Sequence, residues 1–149
     1  MTASTVWHIG IVVEDIQVAI ADFSELFGLH FAEPLTYAAD IEDLGQRATK
    51  EMTFVYSDEG PPYLELIQAQ PTGLWSPQYQ GLHHIGVWQE GFEAQAASLL
   101  QLGHRADARV FRPDGTLSVL YLDTDHPHVH GTRIELMVPG PITRRHPPG

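Results

Sequence analysis

One pattern occurs twice in this chain, and a duplicated β-α-β-β-β order restricts its possible folds more than any other feature. The first copy opens with the apolar run Val6 to Val13, short enough for a strand. Glu14-Asp15 supplies an acidic first turn and an N-cap for a helix. Ile16, Ala19, Ile20, Phe23 and Phe27 follow at helical spacing, and Gly28 stops them. Strands are expected near 30–37, 50–57 and 62–69, with a polar loop over roughly 38–48. The second copy repeats the order. Leu82 to Trp88 reads as a strand, and Phe92, Ala96, Leu99 and Leu100 as a helix stripe closed by Gly103. Strands near 105–112, 116–123 and 131–138 complete it, with Pro113-Asp114-Gly115 as a turn. Module 1 thus covers about 6–69 and module 2 about 82–138. A linker at 70–81 contains Pro71, Gly73 and Pro77, and a loose tail is expected at 139–149. At 149 residues and 43% hydrophobic, the chain is expected to be a single α+β domain with an ordinary core.

The repeat carries chemistry as well as shape. His8 stands in Trp7-His8-Ile9-Gly10, and His84 in His83-His84-Ile85-Gly86. Each precedes a glutamate set in an apolar strand: Glu65 in Tyr63-Leu64-Glu65-Leu66-Ile67, and Glu135 in Arg133-Ile134-Glu135-Leu136-Met137. Strand side chains alternate faces, so leucines packed under a helix turn both glutamates the other way. The same rule puts Ile9 and Ile11 under the helix and His8 on the glutamate face. Taken singly, a glutamate between leucines is the solvent side of a strand. Four such residues in repeat register instead make a metal site between two halves of one molecule. Two imidazoles and two carboxylates suit one divalent ion of Fe, Co, Ni, Zn or Mn. One or two coordination positions remain for water or adjacent substrate oxygens, and such an ion can polarise a carbonyl and stabilise an enolate.

Composition removes other classes. Net charge is -11, which repels phosphate backbones, so nucleic acid is not an expected partner. Arg105, Arg109 and Arg112 lie close together but read as solvated surface charges. There is no apolar run of about 18 residues for a membrane span. Met1 to Thr5 lacks the features of a secretory signal. The chain has no cysteine, hence no disulfide, thiolate ligand or thiol nucleophile. A cytoplasmic location is the default expectation.

At these residues the chain resembles the vicinal oxygen chelate superfamily, the group of glyoxalase I and methylmalonyl-CoA epimerase. The resemblance runs from Trp7 to Met137, and Leu82-His83-His84-Ile85-Gly86 and Thr132-Arg133-Ile134-Glu135-Leu136 are close to second-half motifs of the epimerases. It implies tandem βαβββ modules in a cupped, partly closed barrel. It also implies His8, Glu65, His84 and Glu135 as ligands of one metal between the modules. Glu51 matches by position an acidic residue of the epimerases and is a candidate general base. Glu65 or Glu135 could serve instead by leaving the metal. The implied activity is a metal-dependent isomerase, epimerase or lyase acting on a small carbonyl compound. A ferrous dioxygenase using only His8, His84 and Glu135 is the alternative, and a metal-free binding or resistance protein is another. Dimers are common in the family, so a homodimer is a possible assembly. An acyl-CoA substrate is one possibility, but lysine and arginine are scarce for its phosphates. Arg112-Pro113-Asp114-Gly115 also stands where many epimerases carry a Gly-Gly-rich segment.

Of the remaining groups, His126, His128 and His130 alternate in the loop Asp125 to Gly131 and read as a polar loop near the pocket mouth, with a second metal site as the alternative, and His30 and His104 read as half-exposed. Trp75 is the aromatic candidate for a pocket wall, and Arg133 is a possible partner of Glu135 or of an anionic substrate.

Overall fold

A computed structural model describes residues 3–88 and 90–138; the expected tail at 139–149 lies outside them. Module 1 holds β1 (Thr5–Val13), α1 (Ile16–Phe27), β2 (Leu35–Asp43), β3 (Gln46–Tyr56) and β4 (Tyr63–Gln68). Module 2 holds β5 (Gly81–Trp88), α2 (Phe92–Gln101), β6 (Ala106–Phe111), β7 (Leu117–Leu122) and β8 (Ile134–Met137). The eight strands form one closed barrel in the order β1-β4-β3-β2-β6-β7-β8-β5. Within each module the first strand runs parallel to the last. Two antiparallel seams join the modules within one chain, β1 to β5 and β2 to β6.

Local chemistry sets the elements. The Asp15 carboxylate accepts the Gln17 and Val18 amides at the start of α1, and Gly28 ends it at φ 67. Ile16 and Ala19 of α1 pack on Val55 and Leu66, while Phe92 and Ala96 of α2 pack on Leu120, Leu122 and Leu136. Both helices therefore cover the outside of the barrel, and β4 presents Tyr63, Glu65 and Ile67 to the interior, as the alternation predicts.

The expected loop at 38–48 is instead a long hairpin. Leu44 and Gly45, at φ 48 and 81, form its two-residue turn. Its polar residues are one face of a strand: Ala39 and Ile41 are buried between Asp40 and Glu42, and Arg47 clasps Asp40 with bonds of 3.0 and 2.8 Å. This hairpin supplies the strand that closes the barrel against β6. The 70–81 linker is more than a tether, because Leu74 and Trp75 are driven fully into the interior. Buried Asp43 holds them there by accepting the Leu74 amide at 2.7 Å while pairing with Lys50 at 2.9 Å.

Candidate metal centre

Strand register assembles the centre in two matching rows. Across β3-β4-β1-β5 run Tyr56, Glu65, Gly10 and His84. Across β7-β8-β5-β1 run Tyr121, Glu135, Gly86 and His8. The glycines explain the His-Ile-Gly spelling of both copies. A Cβ at Gly10 would overlap the His84 ring, and one at Gly86 would overlap the His8 ring. Each imidazole thus lies over the bare backbone of the other module's first strand.

Four donor atoms meet there. His84 Nε2 is 2.7 Å from Glu135 Oε2 and 3.2 Å from Glu65 Oε2. His8 Nε2 is 3.1 Å from each of those oxygens and 2.9 Å from His84 Nε2. Metal–ligand bonds of about 2.0–2.2 Å set neighbouring ligands roughly 2.8–3.6 Å apart, so this donor set has the spacing of a coordination shell. Its charge fits as well, since two buried carboxylates require positive charge between them. Protons supply it when no cation is bound. Burial opposes charge on His8, yet Glu65 and Glu135 outweigh it and push the imidazole up to about 10. His84 is raised against burial by the same carboxylates, Glu135 foremost. Burial would raise Glu65, but His8 and His84 draw it down to about 2, and Glu135 is lowered likewise.

These directions predict a pH-dependent response to metal. Without metal, the carboxylate contribution to stability is present above 4.5 and lost as pH falls toward 2. The His8 contribution is present below 6.5 and lost as pH rises toward 10. Metal-free protein should therefore melt highest at about pH 5–6, and the gain in Tm on adding Zn(II) should grow from about pH 5.5 to 8.5, because the ion competes with fewer protons. Fluorimetry with EDTA and with Zn(II) checks this. A gain that shrinks with rising pH contradicts it.

His83, next to the ligand position, was not singled out by sequence reasoning. Its Nε2–H donates to the Leu74 carbonyl at 2.8 Å, which leaves Nδ1 to accept the His84 Nδ1–H at 2.8 Å. Burial, then His84, push His83 down to about 3, so the ring stays neutral. His84 is thereby held with Nε2 facing the carboxylates. His83→Phe is expected to weaken Zn(II) binding about 10–100-fold by calorimetry, and His83→Gln, with an amide donor and acceptor, to recover part of it. Equal affinity in all three proteins would contradict the relay. By contrast, His8 Nδ1 is buried without a hydrogen-bond partner.

Tyr56 and Tyr121 also went unremarked in the sequence. Tyr121 donates to Glu135 Oε2 at 2.9 Å, and Tyr56 bonds Glu65. Burial, then the carboxylates, raise both phenols, so they remain donors. The available signal was their repeat position, one tyrosine on the strand before each glutamate strand.

The other candidates lie elsewhere. Glu51 is exposed, with the strand alternation that turns Met52 and Phe54 into the barrel directing it outward. The structure does not bring it to the four donors, so a general-base role for it is set aside. Arg133 pairs with Asp107 at 3.1 Å and donates to the His83 carbonyl at 3.0 Å, rather than meeting Glu135. Arg105, Arg109 and Arg112 are engaged by Asp123, Glu42 and the Thr116–Leu117 turn respectively. His30 is exposed beside Glu59, whereas His104 is buried, not half-exposed. His126, His128 and His130 do not line the cavity.

That cavity, about 300 Å³, opens above the four donors. Tyr37, Phe54, Trp75, Phe111, Val119 and Met137 are among its walls, and Trp75 takes the place expected for it. Among the described residues, its charged lining groups are Glu65 and Glu135.

A sequence profile of the glyoxalase/bleomycin resistance protein/dioxygenase superfamily matches residues 7–121. No curated protein matches the sequence. Among solved structures, methylmalonyl-CoA epimerase from Mycobacterium tuberculosis aligns at a TM-score of 0.62 and 18% identity, over 98% of this chain and 97% of that one. A variant of the Streptomyces coelicolor methylmalonyl-CoA epimerase, in complex with 2-nitronate-propionyl-CoA, aligns at 0.61 and 18%, over 91% and 96%. A hypothetical protein from Bacillus halodurans aligns at 0.60 and 21%, over 91% and 94%. At these identities the likeness establishes a shared fold.

Proposed function

Because the chain belongs to the glyoxalase/bleomycin resistance protein/dioxygenase superfamily, we propose that it is a divalent-metal-dependent isomerase or epimerase that moves a proton on a small carbonyl compound. The observation that carries this reading is the convergence of His8 and His84 Nε2 with Glu65 and Glu135 Oε2 under an apolar cavity. His8, Glu65, His84 and Glu135 would hold the ion. When bound, it supplies Lewis-acid polarisation of the substrate carbonyl.

The chain's residues supply the proton transfer. Glu135 is the more tightly held carboxylate, with His84 at 2.7 Å and Tyr121 at 2.9 Å. Glu65 has the longer contacts to the histidines, 3.1 and 3.2 Å against 3.1 and 2.7 Å for Glu135, and is the better placed to move. It takes the α-proton: the C–H bond breaks, its electron pair shifts into the carbonyl, and the proton rests on Glu65 until it returns to carbon. Tyr56, bonded to Glu65, orients that carboxylate. The apolar walls exclude water and so protect the enolate from uncontrolled protonation.

The lining also selects substrate. With two carboxylates in the floor and mostly apolar and aromatic side chains among the described lining residues, the cavity favours an uncharged aromatic or branched carbonyl compound. The S. coelicolor epimerase complex instead holds 2-nitronate-propionyl-CoA. Proton NMR in D₂O tests the reading, with 2-hydroxyacetophenone as probe and methylmalonyl-CoA beside it. Loss of the probe's α-proton signal that stops with EDTA and resumes with Co(II) is expected. Turnover of the thioester alone would overturn the substrate class, and oxygen consumption without exchange would favour the dioxygenase.

A further inference from the structure

The histidines of the β7–β8 loop leave the cavity for another partner. His126 stacks on His104, with ring centroids 3.6 Å apart and planes inclined by 22°. His128 lies 4.5 Å from His126 and 5.6 Å from His104. One ligand-type nitrogen from each ring falls within 4.8 Å of the others. We propose that His104, His126 and His128 form a second transition-metal site, at the junction of α2 with β6 and outside the barrel.

Three features distinguish this cluster from an accidental surface group. First, His104 is only 4% exposed, and its Nδ1 is buried with no hydrogen-bond partner. Such a nitrogen carries a desolvation cost that a ligand would relieve. Second, the loop bearing the other two rings is anchored. Asp123 Oδ1 accepts the Asp125 and His126 amides at 3.1 and 3.0 Å, while Arg105 donates to Oδ2 at 3.0 Å. Third, His126 has the support a ligating imidazole needs. Its Nε2–H donates to the Leu102 carbonyl at 3.3 Å, which leaves Nδ1, now accepting the His128 amide at 3.2 Å, as the ligating atom.

Neighbouring ligands of a four-coordinate ion stand about 3.4 Å apart with the ion in each ring plane, so His126 must turn out of its stack on His104 and the exposed His128 must swing inward to complete the site. Three imidazole ligands select Zn(II), Ni(II) or Cu(II) over Mg(II) or Ca(II) and leave a coordination position open. The His/Glu centre has two buried carboxylates, whereas this one has none among its ligands, so the two differ in ligand chemistry and can be separated by mutation.

The test is Zn(II) stoichiometry on the full-length, tag-free protein, by plasma mass spectrometry after desalting. The expected result is about two ions per chain in the wild type and about one in His128→Ala, in His104→Gln and in His84→Ala. His128 is exposed, so its variant should fold even where a change at buried His104 does not. Wild-type stoichiometry in both His128→Ala and His104→Gln would overturn the second site. One ion in the wild type, lost in His128→Ala and kept in His84→Ala, would uphold it and overturn the central one.

Discussion

Replacing His84 with alanine is expected to lower divalent-metal affinity at the His/Glu centre by roughly 10²–10³-fold and to abolish α-proton exchange. A four-ligand site with apparent binding energies of about 10–16 kcal/mol derives roughly 2.5–4 kcal/mol from each ligand, which is a factor of that size. The loss should lie at the upper end of that range. His84 Nε2 lies within 3.2 Å of all three other donors, and its ring fills the space above Gly10. Without it the Glu135 carboxylate loses its shortest contact inside a buried pocket. Competition with a chromophoric chelator measures the affinity, with circular dichroism to confirm the fold. Folded His84→Ala protein that retains wild-type affinity at this centre would refute the ligand assignment. His8→Ala should behave similarly, because the two rings occupy equivalent places in the two rows.

The second large effect should come from Glu65→Gln, which leaves side-chain volume nearly unchanged and removes the base. Proton exchange on the carbonyl probe should fall by about 10²–10⁴-fold, the range for loss of a positioned general base. Glu135→Gln should lose activity mainly through weaker metal binding, since Glu135 has the shorter contacts to His84 and Tyr121. Measuring kcat at saturating Co(II) separates the two roles: added metal should restore Glu135→Gln substantially and Glu65→Gln very little. Full activity in Glu65→Gln would remove the proposed base. Unaltered iron binding together with oxygen-dependent turnover in that variant would support instead a three-ligand centre of His8, His84 and Glu135.

Much of this arrangement was written along the chain. The doubled β-α-β-β-β order, the Asp15 cap, the Gly28 stop and the leucines flanking Glu65 and Glu135 are local signals, set by strand and helix period and by capping chemistry. They predicted the modules, their elements and the face on which the glutamates stand. The hairpin at 38–48 escaped notice because its outward residues are charged, and half-exposed strands with cross-strand ion pairs are as polar as a loop until their pairing is known. Glu51 stands away from the four donors for the converse reason: position in a motif does not say which face of β3 a side chain takes.

The contacts between distant segments could only be decided in three dimensions. The sequence places His8 and His84 in matching motifs, but that each ring lies over the other module's glycine follows from the register of β1 on β5. His83 becomes a positioning residue only because the linker is pinned into the barrel by Asp43, which brings the Leu74 carbonyl to its ring. His104 meets His126 and His128 because the end of α2 packs beside the β7–β8 loop. Periodicity fixes which way a side chain faces, because that is a property of the local backbone. What it faces depends on strand pairing and packing, which join residues far apart in the chain.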